Sequence, residues 1–300
     1  MSYFNFTTQQ LQGGGKYSVK TKIGNYFEDQ QLDEIKFKEF VRLKENNGLL
    51  VAVKEEKYAK MLLETPIVPL NGQITTGSYF MLKNATTNGY LVIDNGEKST
   101  KYENAFSVTT NPLMNFPCPR ALFKFEKYRE NKTYNGIPEQ QPKTTVCYNE
   151  KICIIAHHNV YKTPVYVYSP LLSPFEYSAK TRNQEVLGTP IESFYNCWTI
   201  EHVDPIKRFE VFGQPVNPDE PFLIRHFQTG KLLASSMNAI KNDYGREYEL
   251  CANHYLPLSK FKKIEAEKDD KSTKGPVTRI EKPENIWCVV DKIKKKLNNF

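Results

Sequence analysis

The sequence predicts a mainly β fold made of three similar blocks of four short strands, and three observations predict it. First, two distant stretches read as one device. Phe80-Met81-Leu82-Lys83-Asn84 runs through Thr86-Thr87-Asn88-Gly89 into Tyr90-Leu91-Val92-Ile93, and Phe222-Leu223-Ile224-Arg225-His226 runs through Gln228-Thr229-Gly230 into Lys231-Leu232-Leu233-Ala234. Each is a strand, a polar turn closed by a glycine that accepts positive φ without a Cβ clash, and a second strand. Second, 18 Tyr, 18 Phe and 18 Pro stand against 2 Trp, a bias toward strands punctuated by irregular loops. Third, each block ends in a strand bearing a large aromatic residue: Phe123, Trp198 and Trp287.

The elements follow in order. Residues 1–27 read as an N-terminal arm in which Tyr3, Phe4 and Phe6 precede Gly13-Gly14-Gly15, and Ile23, Gly24, Asn25 and Tyr26 follow it. An aromatic arm around a glycine hinge packs either on a partner or on its own domain, so these seven residues are the candidate interface. Residues 28–65 form a helical segment. Leu32, Ile35, Phe40 and Leu43 recur near helical period over 28–46, with Phe37 and Val41 beside them, and Asn46-Asn47-Gly48 is the stop. A second helix fits 49–64 and ends before Pro66.

The β domain is expected over 66–291, with blocks at about 66–128, 145–203 and 209–291. Ile67–Leu70 leads into the turn Asn71-Gly72, and the first hairpin, Phe106–Val108 and Ala121–Phe125 follow. Residues 129–144 are polar and carry Pro138 and Pro142, which marks a loop. The middle block pairs Ile152–Ile155 with Val165–Tyr168 around a turn holding Thr163-Pro164, continues at Val186-Leu187 and closes at Cys197–Ile200. The last block adds Tyr248–Cys251 and Ile286–Val290. The alternation of Lys with acids over 262–283 reads as a flexible insertion, and 292–300 as a basic tail.

One such block cannot bury its apolar face alone, whereas three around an axis bury it and leave few open edges. That arrangement is a β-trefoil, its hairpins closing one end of a small barrel and its aromatic residues filling the axis. An irregular sandwich of unrelated hairpins is the alternative.

Chemistry-bearing motifs are sparse. The six cysteines at 118, 147, 153, 197, 251 and 288 form no Cys-x-x-Cys and read as buried reduced thiols of a cytoplasmic protein. The N-terminus has no basic segment followed by an apolar run, and no stretch is long and apolar enough for a bilayer. His157-His158 is the only adjacent histidine pair, but neighbours on a strand point to opposite faces and cannot easily ligate one metal. His202, Asp204 and His226 beside Ser235 would make a triad only by chance, because no Gly-x-Ser-x-Gly surrounds the serine. Glu192 and Glu201 flank the Trp198 strand without glycosidase spacing. The net charge of +7, from 41 basic against 34 acidic residues, is too modest to select nucleic acid or membrane. The reading is no enzyme, no cofactor, no nucleic acid, no membrane and no small-molecule substrate.

Several stretches resemble the cilia- and flagella-associated protein 161 family: Lys22–Asp29, Tyr195–Trp198, Phe212-Gly213, Pro215–Pro218, Leu223-Ile224, Thr229-Gly230, Leu233-Ala234, Tyr244-Gly245-Arg246-Glu247 and Glu281–Trp287. Residues 129–144 and 262–278 depart from it. The resemblance implies a β-trefoil of the MIR type. It also implies a microtubule inner protein in the A-tubule lumen of ciliary doublet microtubules, touching tubulin and other inner proteins of the axoneme, a part of the cytoskeleton. The alternative is a carbohydrate- or ligand-binding trefoil, for which Tyr90 and Tyr166 are the nearest stacking candidates, with Lys231 standing where an aromatic would be wanted.

Overall fold

A computed structural model describes residues 25–98, 105–128, 144–157, 163–256 and 281–291. The chain divides into two compact units, Met1–Tyr58 and Ala59–Phe300. The first holds helix α1 (Asn25–Glu45) and most of α2 (Leu50–Met61). α1 starts inside the expected arm, three residues before position 28. Its end is as the sequence implied: the Gly48 N–H reaches back to the Leu43 carbonyl at 2.7 Å, and Asn47 takes the left-handed conformation at φ +51°. α2 stops at Met61, short of residue 64. Among the described residues no helix is long and apolar enough to cross a membrane.

The second unit is mainly β. Its strands are β1 (Tyr79–Asn84), β2 (Tyr90–Lys98), β3 (Phe106–Asn111), β4 (Phe123–Lys127), β5 (Lys151–Ala156), β6 (Tyr166–Tyr168), β7 (Gln184–Glu185), β8 (Leu187–Thr189), β9 (Trp198–His202), β10 (Phe222–His226), β11 (Leu233–Asn242), β12 (Gly245–Ala252) and β13 (Ile286–Val290); a one-turn helix α3 (Lys207–Glu210) follows β9. Six strands close a ring in the order β1-β4-β5-β9-β10-β13, entirely by antiparallel pairs. Phe80 faces Phe123, Ile152 faces Trp198, and Phe222 faces Trp287 in its register. Three hairpins, β2–β3, β6–β8 and β11–β12, stand on this ring and join one another through β3–β8 and β3–β12, while β7 pairs with β12. With the β1–β2 and β5–β6 pairs these strands also trace a wider closed path of nine. Each expected block therefore gives its first and last strands to the ring and its middle strands to a hairpin.

The core sits inside the ring, where Phe80, Phe123, Phe125, Trp198, Phe222 and Trp287 are all shut off from solvent in one cluster. The two tryptophans are placed alike. Each follows a 3₁₀ turn ending in a buried asparagine, Phe194–Asn196 or Pro283–Asn285. The Asn196 amide donates to the Ile191 carbonyl at 3.0 Å, and the Asn285 amide to the Asn253 carbonyl at 2.7 Å. The indole N–H of Trp198 donates to the Val167 carbonyl at 2.8 Å, and that of Trp287 to the Leu233 carbonyl at 3.0 Å. A buried indole needs such a partner.

Several expectations are corrected. In the first hairpin the left-handed residue is Asn88 at φ +51°, not Gly89; at Gly89 the backbone is close, and a Cβ there would lie 3.1 Å from the Asn111 carbonyl carbon. Gly230 does carry positive φ, at +66°. The third strand of the middle block is split at Val186, so that β7 pairs with β12 and β8 with β3 and β6. The end of the supposed solvated insertion is buried: Glu281 lies beneath the surface and takes a 2.7 Å hydrogen bond from Arg208. Residues 257–280, the tail 292–300 and most of the 129–144 loop lie outside the described residues.

Candidate interaction surface

Of the seven arm residues expected at an interface, Tyr3, Phe4, Phe6, Ile23 and Gly24 lie outside the described residues. Asn25 and Tyr26 belong to the first turn of α1.

The β unit carries a surface that the sequence reading missed. Ile206, Phe209 and Phe212 recur every three residues across α3 and its flanks, and all three face solvent, Phe209 with 90% of its surface exposed. Local chemistry holds them outward. The Asp204 carboxylate accepts the Ile206 N–H at 3.0 Å and starts the turn, and the His202 Nδ1 accepts the Asp204 N–H at 2.9 Å. Arg208, between the apolar residues, turns inward: its Nε donates to the His202 carbonyl at 2.8 Å and its Nη2 to Glu281. Glu201 completes the anchor, 3.6 Å from Arg208 and gripped by both prongs of Arg225. With Arg208 tied to β9 and to the segment entering β13, Phe209 is left pointing at water. Aromatic side chains fixed in the open are typical anchors of protein interfaces.

Two further exposed apolar residues, Leu171 and Phe194, stand together elsewhere on the unit. Leu171, Phe194, Tyr195 and Gln228 line a shallow depression of about 250 Å³ there. This is smaller than ordinary ligand pockets.

The remaining sequence candidates do not converge. His157 is buried, its ring 4.5 Å from that of Tyr79, and His158 lies outside the described residues. His226 is buried and donates through Nε2 to the Tyr195 carbonyl at 3.1 Å, while Nδ1 accepts from the Thr229 hydroxyl at 2.8 Å. Ser235 is buried with its hydroxyl 2.5 Å from that of Thr110. Among the described residues no three His, Cys, Asp or Glu side chains are grouped to hold a metal. Tyr166, a stacking candidate, is only 8% exposed, and burial foremost, with Glu192 beside it, pushes its hydroxyl up to about 12. It cannot offer a ring face to a sugar. Tyr90 is half-buried, with the Lys83 ammonium 6.0 Å from its ring. The six cysteines form no disulfide, Cys118, Cys153, Cys197 and Cys251 being buried and Cys147 and Cys288 partly so.

Fold and surface define a mainly β body with exposed apolar anchors. A family model described as a cilia- and flagella-associated protein 161-like domain matches residues 172–268. The chain is 24% identical over 293 residues to cilia- and flagella-associated protein 161 of Mus musculus, covering 91% of this chain and 88% of the relative. It is 25% identical over 267 residues to the protein of that name in Danio rerio, covering 81% and 84%. The chain is thus similar to cilia- and flagella-associated protein 161 along most of its length. Among solved structures it is similar to an SDF2-like protein from Arabidopsis thaliana, with TM-score 0.46 and 17% identity over 73% of this chain and 95% of the other.

Proposed function

We propose that this protein is a structural component of cilia and flagella: a microtubule inner protein that binds the A-tubule lumen of doublet microtubules through tubulin and other inner proteins. On this reading its body is a MIR-like β-trefoil, it works in the axonemal cytoskeleton, and it has neither catalytic activity nor a cofactor. The names of its relatives supply the cilium. The observation that carries the interaction role is Phe209, exposed on a turn that Arg208 fastens to the body. A contact surface that is already ordered loses little entropy on docking. Repeated placement along a lattice lets modest contacts act together.

The test follows a tagged copy in ciliated cells through detergent extraction, together with density maps of the isolated doublets. Retention in the extracted axoneme and a luminal density that vanishes when the protein is deleted are expected. Phe209→Asp should lower retention while the purified variant unfolds at the wild-type temperature. Release of the wild-type protein with the detergent-soluble fraction would overturn the reading.

A further inference from the structure

The six positions Leu32, Ile35, Lys36, Glu39, Phe40 and Leu43 of α1 stand at offsets that place them on one face of a helix. The four apolar members are all open to solvent, Leu32 at 43%, Ile35 at 59%, Phe40 at 49% and Leu43 at 41%. This face is a palindrome in character. Read outward from the midpoint between Phe37 and Lys38, Glu39 answers Lys36, Phe40 answers Ile35, and Leu43 answers Leu32. Arg42 answers Asp33 in sequence, nine residues away and on the opposite border of the face.

A face with that symmetry is complementary to itself when two copies run antiparallel. Leu32 of one copy then meets Leu43 of the other and Lys36 meets Glu39, each twice around a two-fold axis, with Ile35 and Phe40 flanking that seam on opposite sides. The helix macrodipole accounts for acids near the start and bases near the end of α1. It does not account for apolar residues mirrored about the same midpoint as a Lys–Glu pair. Within one helix Lys36 lies 3.3 Å from Asp33, with both side chains largely solvated; such a pair is weak and can be rearranged. The helix spans 21 residues, long enough to align all six positions.

We propose that α1 is a self-association face that pairs antiparallel with α1 of a second copy of this chain. The proposal is independent of where in the cell the protein works. One helix pair buries a modest area, so the dimer forms and dissociates with concentration.

Sedimentation of the full chain over a range of concentrations tests it. Wild type should pass from monomer to dimer. Lys36→Glu and Glu39→Lys each set like charges against one another and should weaken association about tenfold or more. An equimolar mixture of the two variants should associate at least as well as wild type, because both cross-helix pairs are again of opposite sign. No effect within one helix can produce that rescue. Phe40→Ser should abolish the dimer with the helix content preserved by circular dichroism. A wild type that stays monomeric at the highest concentration overturns the proposal, as does a dimer indifferent to both reversals or a mixture no stronger than either variant alone.

Discussion

Arg120 and Glu247, 127 residues apart in the chain, meet as a two-pronged ion pair that reaches no solvent: Nη1 lies 2.5 Å from Oε1 and Nη2 2.9 Å from Oε2. Neighbouring groups hold both partners in place. Arg120 Nε donates to the Ile93 carbonyl at 3.1 Å, and the Tyr244 ring lies 3.7 Å from the guanidinium carbon. Glu247 also accepts from Thr109, Asn111 and Asn242. The pair locks the segment entering β4 onto β12, and so clamps the first block to the third.

Removing one partner leaves the other charge buried and bare. Glu247→Leu should therefore cost about 3–5 kcal/mol of stability, read from urea unfolding. Arg120→Met should cost a similar amount, and the double variant far less than the sum. Strict additivity in this cycle would mean the two do not act together. The pair also sets a pH limit. Burial by itself would raise the Glu247 carboxyl, but Arg120, helped by Thr109 and Asn242, holds it below the ordinary range. A carboxyl depressed in the folded state stabilises above its unfolded value. That contribution disappears as pH falls through the folded value.

His226 gives a second acid limit with a different cause. Burial, opposed only in part by the Tyr195 carbonyl, pushes the imidazole down from 6.5 to about 4. The unfolded chain then binds the proton first, so stability is complete above pH 6.5 and declines toward pH 4. The expected loss across that window is about 3 kcal/mol. Denaturant midpoints at neutral and mildly acid pH measure it. His226→Gln should lower stability at neutral pH but flatten the slope; a slope unchanged by the substitution would assign the effect to other groups.

The sequence made much of this framework legible. Alternating aromatic and β-branched runs located most strands, and Trp198 and Trp287 marked the core because so large a residue has few other places to go. Partnerships between distant segments were not legible. Tyr244–Glu247 stood out through a resemblance, yet nothing along the chain says that Glu247 meets Arg120. Glu281 sits in a run of alternating charges that reads as solvated, and only the approach of Arg208 makes its burial tolerable. Asn88 shows a further limit: asparagine is among the few side-chain-bearing residues that tolerate positive φ, so the turn residue and the close-approach residue were interchanged. Phe209 escaped notice because a short apolar run suggests core until Arg208 is seen to turn the other way.

Gly188 marks where β8 squeezes between β3 and β6. A Cβ there would fall 2.6 Å from Ile93 Cδ1 and 3.1 Å from Val165 Cγ1. Gly188→Ala should cost about 1–3 kcal/mol through overpacking. Because the nearest atom is the tip of a flexible side chain, Ile93→Val should relieve part of the cost and leave the double variant more stable than the Gly188→Ala single. Thermal unfolding of the three proteins decides it, and a double variant worse than either single would place the strain in the backbone.

The paired tryptophans allow the repeat itself to be tested energetically. If Trp198 and Trp287 hold equivalent places, each fully buried and each donating to a hairpin carbonyl, the same substitution should have the same effect at both. Replacement by Ala should cost about 3–5 kcal/mol at either site. Replacement by Phe keeps most of the bulk but leaves the Val167 or Leu233 carbonyl without its indole donor, which should cost about 1–3 kcal/mol. The asparagine two residues earlier should follow the same rule, because Asn196 and Asn285 bind the loop that delivers each indole. Urea titrations of matched variants at the two positions give the comparison. An Ala substitution costing less than about 1 kcal/mol at one site and several at the other would mean that the two blocks share a strand pattern without sharing the core that the pattern is meant to bury.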